Sequence, residues 1–175
     1  MLTIDYINAA IPEDTRNPQS IVAYTRGGGY IPTMKKACAD LGDVRTTAAI
    51  KAMLIRLNML LNLPRPMTEQ FIESCSSMIV KKLTSKYWDT DINFADLRNI
   101  FSNAAEGKYG KFYGGLGTDD ILGWIDTYTL EKEAAIEQWH HDTYHEDRKG
   151  SVCEQDREGY RHAVADYLSG KITRQ

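Results

Sequence analysis

The feature that most constrains this fold is the spacing of apolar residues, which recur every three or four positions along most of the chain. Along and just beyond residues 43–62, six of them keep this spacing, which puts them on one face of a long helix. They are Val44, Ala48, Ala52, Ile55, Met59 and Leu63. We expect this stripe to face the core. No segment alternates apolar and polar residues as a half-buried strand does, so the sequence predicts an all-α fold.

Capping and breaking residues divide the chain into helices, about seven in all. Pro32 and Gly42 stand at the start and just past the end of a helix over residues 33–41, which is the usual asymmetry of helix ends. Thr68 and Asn93 each carry a side-chain oxygen that can accept from the free backbone N–H groups of a first turn. Each of these two residues is therefore predicted to cap a helix.

The C-terminal third is predicted to contain two separate helices. Thr118 and the two acidic residues after it begin one that continues for about six or seven turns. Its inward face is predicted to hold Ile121, Ile125, Tyr128, Ala135 and Trp139. A final helix is expected from about Cys153 to Leu168, within a C-terminal segment of residues 150–175.

The N-terminal segment, residues 1–31, is the part of the sequence richest in loop-forming residues. Leu2–Ala10 is predicted to form a short helix that ends near Pro12, because proline cannot continue the backbone ladder. One further helical turn is expected around Ile21–Tyr24. The run Gly27-Gly28-Gly29 follows it and indicates a loop.

The length of 175 residues is that of one ordinary domain, so residues 1–175 are expected to form a single helical bundle. A hydrophobic share of 42% and a charged share of 26% are typical of a globular protein. No uninterrupted apolar run is long enough to cross a membrane, and the first residues lack the order of a signal peptide. These features predict a cytoplasmic protein without a membrane partner.

A second loop, residues 106–118, combines five glycines with basic and aromatic residues. Its candidate binding residues are Lys108, Tyr109, Lys111, Phe112 and Tyr113. Lysines attract phosphates and aromatic rings stack on bases, so this loop is a candidate contact for a protein or for single-stranded nucleic acid. The alternative is that Tyr109 and Phe112 plug the core between two helices while the lysines stay hydrated. The Gly-Lys pairs do not fit a GxxxxGK[ST] phosphate loop, which argues against nucleotide hydrolysis here.

Candidate catalytic and metal-binding residues form no recognisable centre. His141 and His145 lie one helical turn apart and could face one metal ion, but neither an HExxH order nor a fixed third ligand accompanies them. We expect an unliganded pair at this place. The acidic residues of the same helix are typical of a solvated face rather than of a catalytic cleft. Cys38, Cys75 and Cys153 include no CxxC pair, which argues against a disulfide framework or a cysteine zinc site. Cys38 and Cys75 fall inside helical patterns and are expected to be small apolar residues.

Residues 63–148 resemble a group of small helical proteins from phages, prophages and conjugative elements of gut Bacteroidetes. The matching motifs are three stretches of sequence. They are Phe94–Phe101, Gly107–Tyr113 and Ile121–Tyr128, the last with Trp124 four residues before Tyr128. The resemblance implies a mobile-element origin and an all-α fold. The order of helix, glycine-bearing loop and Trp-bearing helix is also similar to phage helicase-loader and replisome-organiser domains.

These observations predict a non-enzymatic accessory protein of a phage or mobile element that needs no cofactor or metal. The favoured role is a helicase-loader-like, replication-associated adaptor that binds a protein and, as a second partner, single-stranded nucleic acid. Acidic residues prevail in residues 113–175, which favours a protein partner over duplex DNA. The alternative is a structural protein carried in a virion or an inhibitor used in host takeover. A small metal-dependent nuclease-like enzyme is the third hypothesis.

Overall fold

The computed structural model describes residues 15–61, 63–85, 91–110 and 115–168, and from residue 145 to 168 it describes the backbone alone. Within these ranges the chain forms six helices and no strand apart from a single antiparallel bridge between Thr33 and Asn93. The helices are α1 (Pro18–Arg26), α2 (Met34–Leu41), α3 (Asp43–Leu61), α4 (Glu69–Thr84), α5 (Phe94–Ala105) and α6 (Thr118–Leu168). The all-α prediction is confirmed. The predicted helix Leu2–Ala10 lies outside the described residues.

The predicted caps of α4 and α5 are confirmed. The hydroxyl of Thr68 accepts from the backbone N–H of Phe71 at 3.2 Å. Asn93 and Asp96 form a reciprocal capping box, in which each side chain accepts from the backbone N–H of the other residue. Since a capping box satisfies two N–H groups that the helix itself leaves free, it fixes the residue at which α5 begins.

The N-terminal segment contains more helix than we predicted. Instead of one turn around Ile21–Tyr24, α1 continues for nine residues. Asn17 and Ser20 form a capping box at its start, and Pro18 occupies the first helical position, where its missing N–H has no consequence. These local signals outweigh the turn-forming composition of the segment around them.

The buried face of α3 is not the stripe that we predicted. Val44 is 83% exposed, Met59 77% and Ile55 45%, and both alanines of that stripe are exposed as well. The core instead receives the opposite face of the helix. Its buried residues are Thr46, Ala49, Ile50, Leu54 and Leu57. Ile50, Leu54 and Leu57 of this face belong to the main core together with residues of α4 and α5, so the neighbouring helices decide which face of α3 is covered.

The main core forms where α3 packs against α4 and α5. The predicted inward face of α4 is confirmed: Ile72, Cys75, Ile79 and Leu83 are buried, and Phe71 is half-buried. Burial raises the pKa of the Cys75 thiol to about 11, as expected of a cysteine that serves as a small apolar residue. Cys38, on α2, is half-buried. The side chain of Cys153 lies outside the described part of the chain.

The two helices predicted for the C-terminal third are one continuous helix of 51 residues, α6. Gly150, which lies between the two predicted helices, is within it. A lone glycine costs only about 1 kcal/mol in a helix interior, and no proline interrupts this stretch. The predicted inward residues Ile121, Ile125, Tyr128 and Ala135 are buried, and Trp139 is half-buried.

Contacts divide the chain into two units, residues 1–135 and residues 136–175, and α6 continues through the boundary. The first unit contains α1 to α5, the start of α6 and the core described above. The second unit contains the remainder of α6. That residues 1–175 form a single domain stays a prediction.

Candidate functional site

The glycine-bearing loop after α5 folds back onto α6 at Lys108 and Tyr109. Gly107 and Gly110 have positive φ angles of 82° and 102°, a region in which a side chain is strained. The ring of Tyr109 stacks on that of Trp124, with centroids 5.5 Å apart and planes at 11°. Tyr109 also packs against the main core, and burial raises its pKa. The alternative interpretation, in which Tyr109 fills the core between two helices, therefore describes this ring.

Lys108 and Tyr109 are the two predicted binding residues that the structure describes. Lys108 lies beside an acidic residue of α6. Its Nζ is 2.7 Å from Oε2 of Glu131, and both side chains are partly exposed. Such a pair contributes little to stability, but it partly neutralises the charge that a phosphate would meet. Lys111, Phe112 and Tyr113 lie outside the described residues. The prediction that this loop binds a partner stays a prediction.

The predicted histidine pair is described only at its first member. Nδ1 of His141 lies 3.5 Å from Oδ1 of Asp142, and the ring of the preceding residue, His140, meets Trp139 edge-on. The side chain of His145 lies outside the described part of the chain. Among the described side chains, no three His, Cys, Asp or Glu residues gather in an arrangement that could hold a metal ion. The expectation of an unliganded pair stays a prediction.

A buried ion pair, which the sequence analysis missed, joins α5 to α6. Asp96 is fully buried, and its Oδ2 accepts from Nζ of Lys132 at 2.7 Å and from the backbone N–H of Asn93 at 2.9 Å. Lys132 donates a second bond to the carbonyl of Asp91, also at 2.7 Å. Burial raises the pKa of Asp96, and Lys132 opposes that rise. The pair therefore replaces part of the hydration that both charges lose.

The buried polar residues of α5 also hold the segment that precedes α1. Asn99 donates to the carbonyl of Thr15 at 3.0 Å, and Arg98 donates to the same carbonyl at 2.6 Å. The amide nitrogen of Asn99 donates to the hydroxyl of Tyr128 at 3.4 Å. Burial strongly raises the pKa of that hydroxyl. No solvent reaches Asp96, so a reactant could not reach it either. The network therefore connects three parts of the chain, which are the segment before α1, helix α5 and helix α6.

The exposed apolar face of α3 is a further functional candidate among the described residues. We call Val44, Ala48, Ala52, Ile55 and Met59 the α3 stripe. At its N-terminal end, a shallow depression between α3 and α4 is lined by Val44, Ala48 and the ion pair of Lys51 with Glu73. A helix face of this kind can contact an apolar surface of another molecule.

Sequence reasoning found the α3 stripe but assigned it to the core. One signal could have corrected this: Ile50, Leu54, Leu57 and Leu61 form a second stripe at the same spacing and with larger side chains. Two such stripes on one helix cannot both face the same core. The face with two alanines, bordered by Arg45 and Arg56, was the better candidate for the surface.

Comparison with protein-family models, curated proteins and solved structures found no match for this chain. Within the described ranges, none of the helices combines the length and the apolar character needed to cross a bilayer. The functional argument therefore rests on the surfaces of the molecule itself.

Proposed function

We propose that this chain is a non-enzymatic adaptor that binds another protein through the α3 stripe. One observation carries the proposal: α3 is apolar on two faces, one of which is buried while the other stays in contact with solvent. Exposed apolar residues are common singly, but five on one helix face form a contiguous surface, which is typical of a protein contact.

The charges beside the α3 stripe determine which partner fits it. Arg45 and Arg56 border one edge, and neither is paired with a carboxylate of the described residues. Lys51 borders the other edge, in an ion pair with Glu73. The matching partner is an amphipathic helix that places apolar residues on the stripe and acidic residues beside the two arginines.

The setting that we propose for this adaptor is the replication machinery of a phage or mobile element. The resemblance of residues 63–148 to helical proteins of such elements supports the setting, and the proposed partner helix would belong to a replication protein such as a helicase. A role in the virion or in host takeover is the alternative setting, and the same stripe would serve it.

A photo-cross-linking experiment tests the proposal. Ala52, at the centre of the stripe, is replaced by p-benzoylphenylalanine in cells that carry the native partner, and the cross-linked peptide is sequenced. We expect an amphipathic segment with acidic residues beside its apolar face. The synthetic peptide should bind the purified chain, and Met59→Asp should weaken that binding by about tenfold or more.

Leu130→Asp is the matched control, because Leu130 is 67% exposed on α6, outside the stripe. It should leave the affinity for the peptide unchanged. Cross-links to a second copy of this chain would instead assign the stripe to self-association. A peptide that binds both aspartate variants as well as it binds the wild type would refute docking at the stripe.

A further inference from the structure

The turn that closes α1 is built around a tyrosine ring. The backbone N–H groups of Gly27 and Gly29 donate to the carbonyls of Ala23 and Tyr24, both at 2.9 Å. Gly28 between them has a φ of 98°, which disfavours any residue with a side chain. A Cβ at Gly29 would lie 2.3 Å from the ring of Tyr24. Gly28 and Gly29 therefore each have a structural reason, and the backbone of Gly29 lies close against the Tyr24 ring.

Two tyrosines at this turn remain open to solvent although the backbone beside them is anchored. Ile21 and Ile31 are buried in a small cluster with Ala95 of α5. Tyr24 is nevertheless 40% exposed and Tyr30 69% exposed. Gly29 lies against the ring of Tyr24 and immediately precedes Tyr30, so both exposed tyrosines belong to one anchored turn. Each offers a flat, rigid surface with little rotamer freedom to lose on contact.

The charge around this turn is positive. Residues 24–30 contain one basic residue, Arg26, and no acid, so the turn itself attracts the anionic backbone of a nucleic acid. Arg26 belongs to the turn itself, is exposed, and has no carboxylate partner among the described residues. It can therefore bind a phosphate without first giving up an ion pair.

We propose that the turn from Tyr24 to Tyr30 is a contact site for single-stranded nucleic acid. The ring of Tyr30 stacks on an unpaired base, Tyr24 offers a second exposed ring on the same turn, and Arg26 binds a phosphate of the same strand. Stacked aromatic rings and a basic side chain are what single strands require, because their bases have free faces. A duplex hides those faces, so the same turn offers it only the arginine.

This site is distinct from the loop of Lys108 and Tyr109. There the aromatic ring stacks on Trp124 and the lysine pairs with Glu131, whereas the turn of α1 keeps its rings and its arginine open. The proposal also goes beyond the protein-binding adaptor, since it uses neither the α3 stripe nor a protein partner. Met59→Asp is therefore expected to leave it intact.

The test measures binding of the full chain to a fluorescently labelled single-stranded oligothymidylate by anisotropy at low and high salt. Tyr30→Ala should weaken binding by about tenfold, the usual effect of one lost stacking contact. Arg26→Ala should also weaken binding at low salt, because it removes a phosphate contact. Tyr30→Phe should retain the wild-type affinity because it retains the ring. Only Arg26→Ala should reduce the salt dependence, since only it removes a phosphate contact.

Arg56→Ala is the charge-matched control, since it removes the same charge at a distance along the chain, on α3. It should change the affinity by less than Arg26→Ala does. The proposal is overturned if the wild type does not bind the oligonucleotide, if a duplex competes equally well, or if Tyr30→Ala binds like the wild type. Equal effects of the two arginine variants would also overturn it, because they would indicate a diffuse attraction between charges.

Discussion

Helices α3 and α5 lie in the same unit, and each departs from the rule that apolar residues are buried and polar residues are exposed. Helix α3 leaves Val44, Ile55 and Met59 in solvent, whereas α5 takes Asp96 and Asn99 into the interior. Both have the apolar spacing of a helix that packs on a core. The spacing establishes that a helix forms, but the neighbouring segments decide which of its residues are covered.

Partners distant in the sequence make the burial of polar residues in α5 possible. The carboxylate of Asp96 meets Lys132, and Asn99 meets the carbonyl of Thr15. Helix α3 has no corresponding partner for its second apolar face within the described residues. The buried polar residues of α5 therefore serve the stability of this unit, while the second apolar face of α3 is the surface that we propose for contact with another molecule.

The largest loss of stability is expected from breaking the buried ion pair between Asp96 and Lys132. Lys132→Met leaves the Asp96 carboxylate buried without its cation, which should cost about 3–5 kcal/mol of unfolding free energy, measured by urea denaturation at neutral pH. Lys82→Met is the matched control: Lys82 pairs with Asp126 at the same short range but with the aspartate half exposed. It should cost no more than about 1 kcal/mol. Equal losses would contradict the assignment of Asp96 as a buried charge.

The pH dependence sharpens this prediction. Without Lys132, nothing opposes the effect of burial, so the pKa of Asp96 in the folded variant rises further above its unfolded value. The folded state then holds a proton that the unfolded state releases, and stability is lost as the pH rises through the folded pKa. The deficit of Lys132→Met against the wild type should therefore shrink toward acid pH. The double variant Asp96→Asn with Lys132→Met should recover much of the loss.

A smaller effect is expected from two isoleucines of α3 that differ only in the face on which they lie. Ile50 is fully buried and Ile55 is 45% exposed. Ile50→Ala should cost about 2–5 kcal/mol because it leaves a cavity, whereas Ile55→Ala should change stability by about 0.5 kcal/mol at most. Denaturation of both variants checks the assignment directly. The reverse order would restore the α3 stripe to the core.

The local signals predicted the caps correctly, while the face of α3 that is buried was predicted wrongly. The caps at Thr68 and Asn93 act within four residues, so the sequence predicted them correctly. The face of α3 depends on what α4 and α5 offer, and the buried role of Lys132 depends on a carboxylate 36 positions away. Lys132 lies between two glutamates in the sequence, a pattern that is typical of a solvated helix face.

The candidate site shows the same limit. The loop after α5 was identified from its glycines, lysines and aromatic rings, but its composition did not reveal that Tyr109 lies on Trp124. Composition also led us to interpret Gly27-Gly28-Gly29 as a loop only. The close approach of Gly29 to the ring of Tyr24 follows from backbone angles that the sequence alone does not specify.

The smallest of these effects concerns the loop after α5, which combines a packed ring with a hydrated charge. Tyr109→Ala removes the stacking on Trp124 and part of the core contact, so it should cost about 2 kcal/mol, less than a fully buried aromatic residue. Lys108→Ala breaks only the partly exposed pair with Glu131 and should change stability by about 0.5 kcal/mol or less. Thermal melting of the two variants, with Leu130→Ala as an exposed control on the same helix as Glu131, distinguishes the contributions. If Lys108→Ala destabilised the chain as much as Tyr109→Ala, the ion pair rather than the ring would hold this loop on α6.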